Sequence, residues 1–239
     1  MRKHIPNLLT LLNLLSGCIA ITLAFDGNFM GAVAWVFAAA LLDFLDGMAA
    51  RLLNAYSPLG KELDSLADVV SFGVAPAVAL FILLRDYALL PGFAEPLRHV
   101  IPYLAFLIPL FSAYRLANFN IDERQTTSFR GLPTPASGLF WISYCYGVHT
   151  KTVNNEWLFY LTLGLLFLLS PLMIANIPMF SLKIKNPRWK GNERQALLAV
   201  LMIAFVALWG VIGIAAGIIA YILLSLIPYS EKPQHTPSR

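Results

Sequence analysis

Leu42-Asp43-Phe44-Leu45-Asp46-Gly47-Met48-Ala49-Ala50-Arg51, followed by Gly60, Asp64 and Asp68, sets four carboxylates and an arginine within or beside two segments apolar enough to cross a bilayer. An ionised side chain at the middle of a membrane helix costs roughly 2.5 to 3.5 kcal/mol even on a lenient insertion scale. Acid kept at such a depth needs compensation, and the spacing says where to look for it. On a helix turning about 100° per residue, Asp43, Asp46, Gly47 and Ala50 share one face with Arg51 beside them, while Leu42, Phe44, Leu45 and Met48 point elsewhere. Gly60, Asp64 and Asp68 recur at intervals of four and form one stripe on the next helix. Joined by the short turn from Asn54 to Pro58, the two stripes can face each other around one point.

Four carboxylates repel one another in a dry site and need cations between them. Hard oxygen ligands in that number suit Mg²⁺, Mn²⁺ or Ca²⁺, and two such ions would balance the charge. Gly47, Ala50 and Gly60 carry almost no side chain, which leaves room for a ligand against the backbone. Arg51 offers a planar fork for phosphate.

Composition makes this an integral membrane protein of one domain. The 239 residues are 58% hydrophobic and 13% charged, with mean hydropathy +0.69, against about 25% charged in a soluble domain. Met1-Arg2-Lys3-His4 precedes a long apolar run with no small-residue cleavage site, so the first segment is expected to stay as a helix. The hydropathy predicts an all-α polytopic bundle of about eight membrane helices near 6–25, 30–53, 58–84, 98–119, 134–149, 156–177, 194–210 and 212–229. The run from 195 to 228 is too long for one crossing, and Gly210, Gly213 and Gly217 offer places to turn. A single catalytic domain is expected over 1–230, with a short, polar, disordered cytoplasmic tail at 231–239.

Positive charge orients the bundle. With eight helices and an inside N-terminus, only Arg85, Arg98 and Lys151 of the 17 basic residues fall outside, which obeys the positive-inside rule. Both termini, the acidic site and Arg51 then lie toward the cytoplasm. The net charge of +4 therefore requires no nucleic acid. Lys183 to Arg194 is a juxtamembrane basic cluster that either holds anionic membrane lipids or serves only as a topology signal. Cys18 and Cys145 lie in separate helices without metal-type spacing, and neither is assigned a role.

The run D-x-x-D-G-x-x-A-R, then eight residues, then G-x-x-x-D-x-x-x-D resembles the signature of the CDP-alcohol phosphatidyltransferases, with every fixed position filled between Asp43 and Asp68. The resemblance implies a six-helix catalytic core, a homodimer, and transfer of a phosphatidyl or similar group from a CDP-linked donor to an alcohol with release of CMP. It implies that Asp43, Asp46, Asp64 and Asp68 hold the metal and that Asp68 is also the general base. It puts Gly47, Arg51 and Ser57 on the donor, beside Ala50 and Gly60. Ser57, before Pro58, also reads as a turn residue. Asn7, in the opening Pro6-Asn7-x-x-Thr10, reads equally as a donor contact or a helix-entry residue.

The signature does not choose the alcohol. Glu62 to Pro76, Arg115-Leu116-Ala117-Asn118-Phe119-Asn120, Phe129-Arg130-Gly131-Leu132-Pro133-x-Pro135 and Ala175-Asn176-Ile177 are similar to blocks of the membrane-type phosphatidylserine synthases. That resemblance implies CDP-diacylglycerol and L-serine as substrates. Zwitterionic serine needs an anchor for its carboxylate, and Arg115 and Arg130 are the available cations, though both also fit as ordinary positive-inside arginines. Asn118 stands where these synthases commonly carry a basic residue, which keeps glycerol 3-phosphate, inositol or an amino alcohol open as acceptor. A divalent-cation transporter is the reading from another class. It predicts paired halves with matching interrupted helices, whereas the acid here sits in the second and third helices alone, next to an arginine that would repel the ion.

Overall fold

A computed structural model describes residues 4–86, 91–92, 94–121, 129–151, 156–180 and 192–227. The expected 231–239 tail, Arg2, Lys3, Arg124 and the cluster residues Lys183, Lys185, Arg188 and Lys190 lie outside those residues.

The chain is an all-α membrane bundle, and the eight helices among the described residues follow the hydropathy closely: α1 His4–Phe25, α2 Phe29–Leu52, α3 Pro58–Arg85, α4 Ile101–Ile121, α5 Thr134–Lys151, α6 Glu156–Leu172, α7 Glu193–Trp209 and α8 Ile212–Leu226. The first four are long and apolar enough to cross a membrane, and α6 and α8 are apolar but shorter. Gly210, at φ +67°, turns the long C-terminal run into two helices.

Small and polar residues decide how the first helices meet. In α1 the buried positions are Pro6, Thr10, Asn13, Ser16, Gly17, Ala20 and Ala24, one stripe at helical spacing, while Leu8, Leu11 and Leu15 face outward. Lipid is as apolar as leucine, so a membrane helix gains by presenting small or hydrogen-bonding residues to its neighbours. α2 answers with Ala32, Val36 and Ala39. The turn after α2 uses Asn54 in the left-handed region. Ser57 then caps α3 by accepting from the Gly60 N–H at 3.0 Å, with Pro58 at the first helical position.

Two departures from plain helices matter. α3 widens to a π-helix over Val69–Val74, directly after Asp68, before an almost wholly buried stretch, Ala75–Arg85. The wide turn is gripped from both sides. A Cβ on Gly17 would lie 2.7 Å from the Ser71 Cα, and one on Gly138 would lie 2.7 Å from the Phe72 Cα. α4 begins as a 3₁₀ turn over Ile101–Phe106, with Pro102 in its opening positions.

The sixth helix ends at Leu172 and not near 177, which corrects the hydropathy boundary. The chain there leaves the helix to pair with the segment before α5: β1, Phe129–Arg130, runs antiparallel to β2, Pro178–Met179. The Gly131 N–H donates to the Ile177 carbonyl at 2.9 Å and the Leu132 N–H to the Leu172 carbonyl at 3.0 Å. Gly131 sits at φ +71°, where a Cβ would strike the Met173 carbonyl. Two sequence blocks 40 residues apart thus form one latch.

Candidate metal and phosphate site

Three of the four carboxylates converge. One oxygen each of Asp43 on α2 and of Asp64 and Asp68 on α3 lies within 4.8 Å of the other two. Asp46, one turn beyond Asp43, is not in that set; its Oδ2 accepts from the Thr10 hydroxyl of α1 at 2.6 Å. Asp46 and Asp68 are each 6% exposed. The Asp68 Oδ1 accepts from the Asn13 amide at 3.4 Å, and the Ser71 hydroxyl donates to the Asn13 carbonyl at 3.0 Å. Helix α1 is therefore the third wall of the site.

These acids have no basic side chain in ion-pair contact among the described residues. The ion pairs there, Arg85–Asp86 and Arg98–Glu95, belong to the connection between α3 and α4, and Arg115 comes only within electrostatic reach of Asp68. The Asp64 Oδ1 is buried without a hydrogen-bond partner among the described residues. Unpartnered buried carboxylate oxygen is costly unless something cationic completes it. The donor set is all hard oxygen and fits a divalent metal of the Mg²⁺, Mn²⁺ or Ca²⁺ kind.

Beside the acids the surface of α2 is open. Gly47 is exposed, and a Cβ there would meet nothing within 4 Å, so its missing side chain leaves open space over α2. The Arg51 Nε donates back to the Gly47 carbonyl at 3.0 Å, so the exposed guanidinium lies along that face. Ala50 is half-buried one turn on, its carbonyl accepting from Ala55 at 2.9 Å to close the turn. At the start of α3, a Cβ on Gly60 would lie 3.1 Å from both the Asn7 Oδ1 and the Ser57 Oγ. Asn7, Ser57 and Gly60 are thus one cluster at the mouth of α1 and α3. Asn7 also lines an open groove of about 580 Å³ with Ile5, Leu8, Leu11, Leu59 and Leu63.

The two arginines that the sequence offers as carboxylate anchors part company. Arg115 is buried, with its Nη1 3.5 Å from the Thr134 Oγ1 and its Nε without a partner among the described residues. It faces Asp68 and Tyr221 closely enough for electrostatic interaction. Arg130 is exposed in β1. Thr10 and Asn13, outside the signature, join the site only in the fold. The available signal was Asn7, Thr10, Asn13 and Ser16 at intervals of three in an otherwise apolar helix.

Comparison with known proteins finds one family and a set of similar enzymes. The CDP-alcohol phosphatidyltransferase family matches residues 3–228. A CDP-diacylglycerol–serine O-phosphatidyltransferase of Bacillus subtilis is 35% identical over 199 residues, covering 82% of this chain and 96% of that protein. The enzyme of the same name from Helicobacter pylori is 34% identical over 209 residues, 85% of this chain and 80% of its own. An archaetidylserine synthase of Methanothermobacter thermautotrophicus is 35% identical over 137 residues, covering 56% of this chain and 54% of its own.

Proposed function

We infer that this chain, which belongs to the CDP-alcohol phosphatidyltransferase family, transfers the phosphatidyl group of CDP-diacylglycerol to the hydroxyl of L-serine and releases CMP. The observation that carries the reading is the meeting of Asp43, Asp64 and Asp68 within 4.8 Å beside the open face of Gly47 and Arg51. The acceptor follows from relatives whose names share serine although their lipid products differ.

Asp43, Asp46, Asp64 and Asp68 would hold two divalent ions, Mg²⁺ or Mn²⁺. Bound there, the metal supplies positive charge for the pyrophosphate and for the charge that collects on departing CMP. Arg51, Gly47 and Ala50 take the donor phosphates, with Asn7, Ser57 and Gly60 on the opposite side. Arg115 anchors the serine carboxylate, and Arg130 stands at the entrance. The serine hydroxyl attacks the phosphorus next to diacylglycerol as its proton passes to the Asp68 carboxylate; the bond from that phosphorus to the CMP oxygen breaks, and CMP leaves with the electron pair. Residues 1–230 act as one catalytic domain in a prokaryotic inner or plasma membrane, as a homodimer, with both termini and the site on the cytoplasmic side.

Purified protein in detergent with CDP-diacylglycerol, Mn²⁺ or Mg²⁺ and labelled serine is expected to yield CMP and phosphatidylserine in equal amounts. CMP with glycerol 3-phosphate or inositol but not with serine would reassign the acceptor. No CMP with any alcohol would remove the transferase reading.

A further inference from the structure

We propose that Thr10 is a positioning residue for the metal centre: its hydroxyl reaches from α1 and fixes one oxygen of Asp46, which keeps the other turned toward the divalent ions. The proposal rests on the metal-centre reading above and adds a residue outside the eight-residue signature.

Thr10 is 3% exposed, and its Oγ1 has two acceptors in range, the Asp46 Oδ2 at 2.6 Å and the Pro6 carbonyl at 3.1 Å. A hydroxyl has one proton to give. In a membrane helix that proton commonly goes back to the carbonyl four residues earlier. Here the carboxylate is nearer by half an ångström, and 2.6 Å is the length of a charge-assisted O–H···O⁻ bond. The Thr10 hydroxyl therefore donates to the Asp46 carboxylate. That carboxylate sits one turn from Asp43 and yet contributes no oxygen to the set of three within 4.8 Å. Repulsion by its neighbours alone would leave it free to choose among rotamers, and the Thr10 bond selects one.

The rest of α1 holds Thr10 in place. One turn on, the Asn13 amide donates to Asp68, and the Asn13 backbone carbonyl is held by Ser71 from the π-helical stretch. Thr10 and Asn13 thus each hold one oxygen of a carboxylate from α2 and α3 respectively. The Asn13 Oδ1 is itself buried without a hydrogen-bond partner among the described residues, so α1 presents a polar atom that those residues do not satisfy. Groups that orient metal ligands in this way typically change metal affinity or activity by 10- to 100-fold when removed.

The test uses metal-stripped full-length protein and its Thr10→Val and Thr10→Ser variants. Mn²⁺ binding is followed by electron paramagnetic resonance, and kcat and KM for both substrates are measured in parallel. Thr10→Val keeps the shape and removes the donor; it is expected to weaken Mn²⁺ binding about tenfold or more and to lower kcat, with each KM within about threefold. Thr10→Ser, which keeps the hydroxyl, is expected to restore both. Parental Mn²⁺ binding in Thr10→Val overturns the proposal, and so does an equal loss in both variants, which would assign the effect to packing. Should Thr10→Val fail to purify as folded protein, Thr10→Ala is read in the same way against Thr10→Ser. A parent that binds no Mn²⁺ sinks the metal centre and this proposal together, whereas a parent that binds Mn²⁺ but makes no CMP with serine sinks the acceptor reading alone.

Discussion

The α1–α3 trio and the α7–α8 pair solve the same problem by different means. Both must hold helices together where the surrounding lipid gives no hydrophobic drive. The first trio does it with polar reach: Thr10 to Asp46, Asn13 to Asp68, Ser71 to the Asn13 carbonyl. The second does it mainly by close approach, with the Arg194 Nη2 at the start of α7 donating to the Ile227 carbonyl just past α8 at 2.7 Å. A Cβ on Gly213 would clash with the Phe205 carbonyl, and one on Gly217 would strike the Met202 sulfur. Buried polarity between helices is costly unless completed, so it persists where a ligand completes it. Close apolar packing has no such requirement and can sit anywhere. On the proposed function the chemistry belongs to the trio and the pair serves as support, joined to the rest partly through the Tyr221 hydroxyl, which donates to the Phe180 carbonyl at 3.1 Å.

Substitution of Asp68 should separate the two regions most sharply. Asp68→Asn removes the proton acceptor, and turnover is expected to fall by roughly 10² to 10⁴, while Mn²⁺ binding, still served by Asp43 and Asp64, falls far less. A variant that turns over like the parent would take the base role from Asp68. Next in size is Arg115→Ala. Loss of a charged hydrogen bond of about 1.5 to 3 kcal/mol is expected to raise the KM for serine roughly ten- to a hundredfold and the KM for CDP-diacylglycerol little. The reverse pattern would put Arg115 on the donor side.

What the sequence disclosed, and what it withheld, follows the range of the interactions. The eight helices were readable because hydropathy is local. So were Asp64 and Asp68 on one stripe, since a four-residue interval fixes them to one face. The end of α6 was not readable, because Leu172 and Ile177 give their carbonyls to Leu132 and Gly131, some 40 residues away in sequence. The π-helix after Asp68 was hidden for the same reason: it depends on Gly17 and Gly138 from two other helices. The different settings of Asp43 and Asp46 were hidden too. They share a face of α2, and only the placement of α1 gives Asp46 a threonine partner. The tie between Arg115 and the latch segment, through Thr134 at the start of α5, likewise needed the fold.

The smallest effect on catalysis should come from the apolar pair. Gly213→Ala puts a methyl against the backbone of Phe205, where the neighbour is a carbonyl that cannot rotate aside. The helices must move apart, at a cost of about 1 to 3 kcal/mol for an overpacked contact. Because α8 carries Tyr221 and not a carboxylate, this strain is expected to lower the thermal midpoint by a few degrees and to leave kcat within about twofold. Any residual change should appear in the KM for serine, since Tyr221 lies within electrostatic reach of Arg115. Thermal unfolding and steady-state kinetics on the same detergent preparation measure both. If Gly213→Ala were to cut kcat as deeply as Asp68→Asn while remaining folded, the division of labour between the trio and the pair would be false, because spacing in α7 and α8 would then be setting the geometry of the carboxylates.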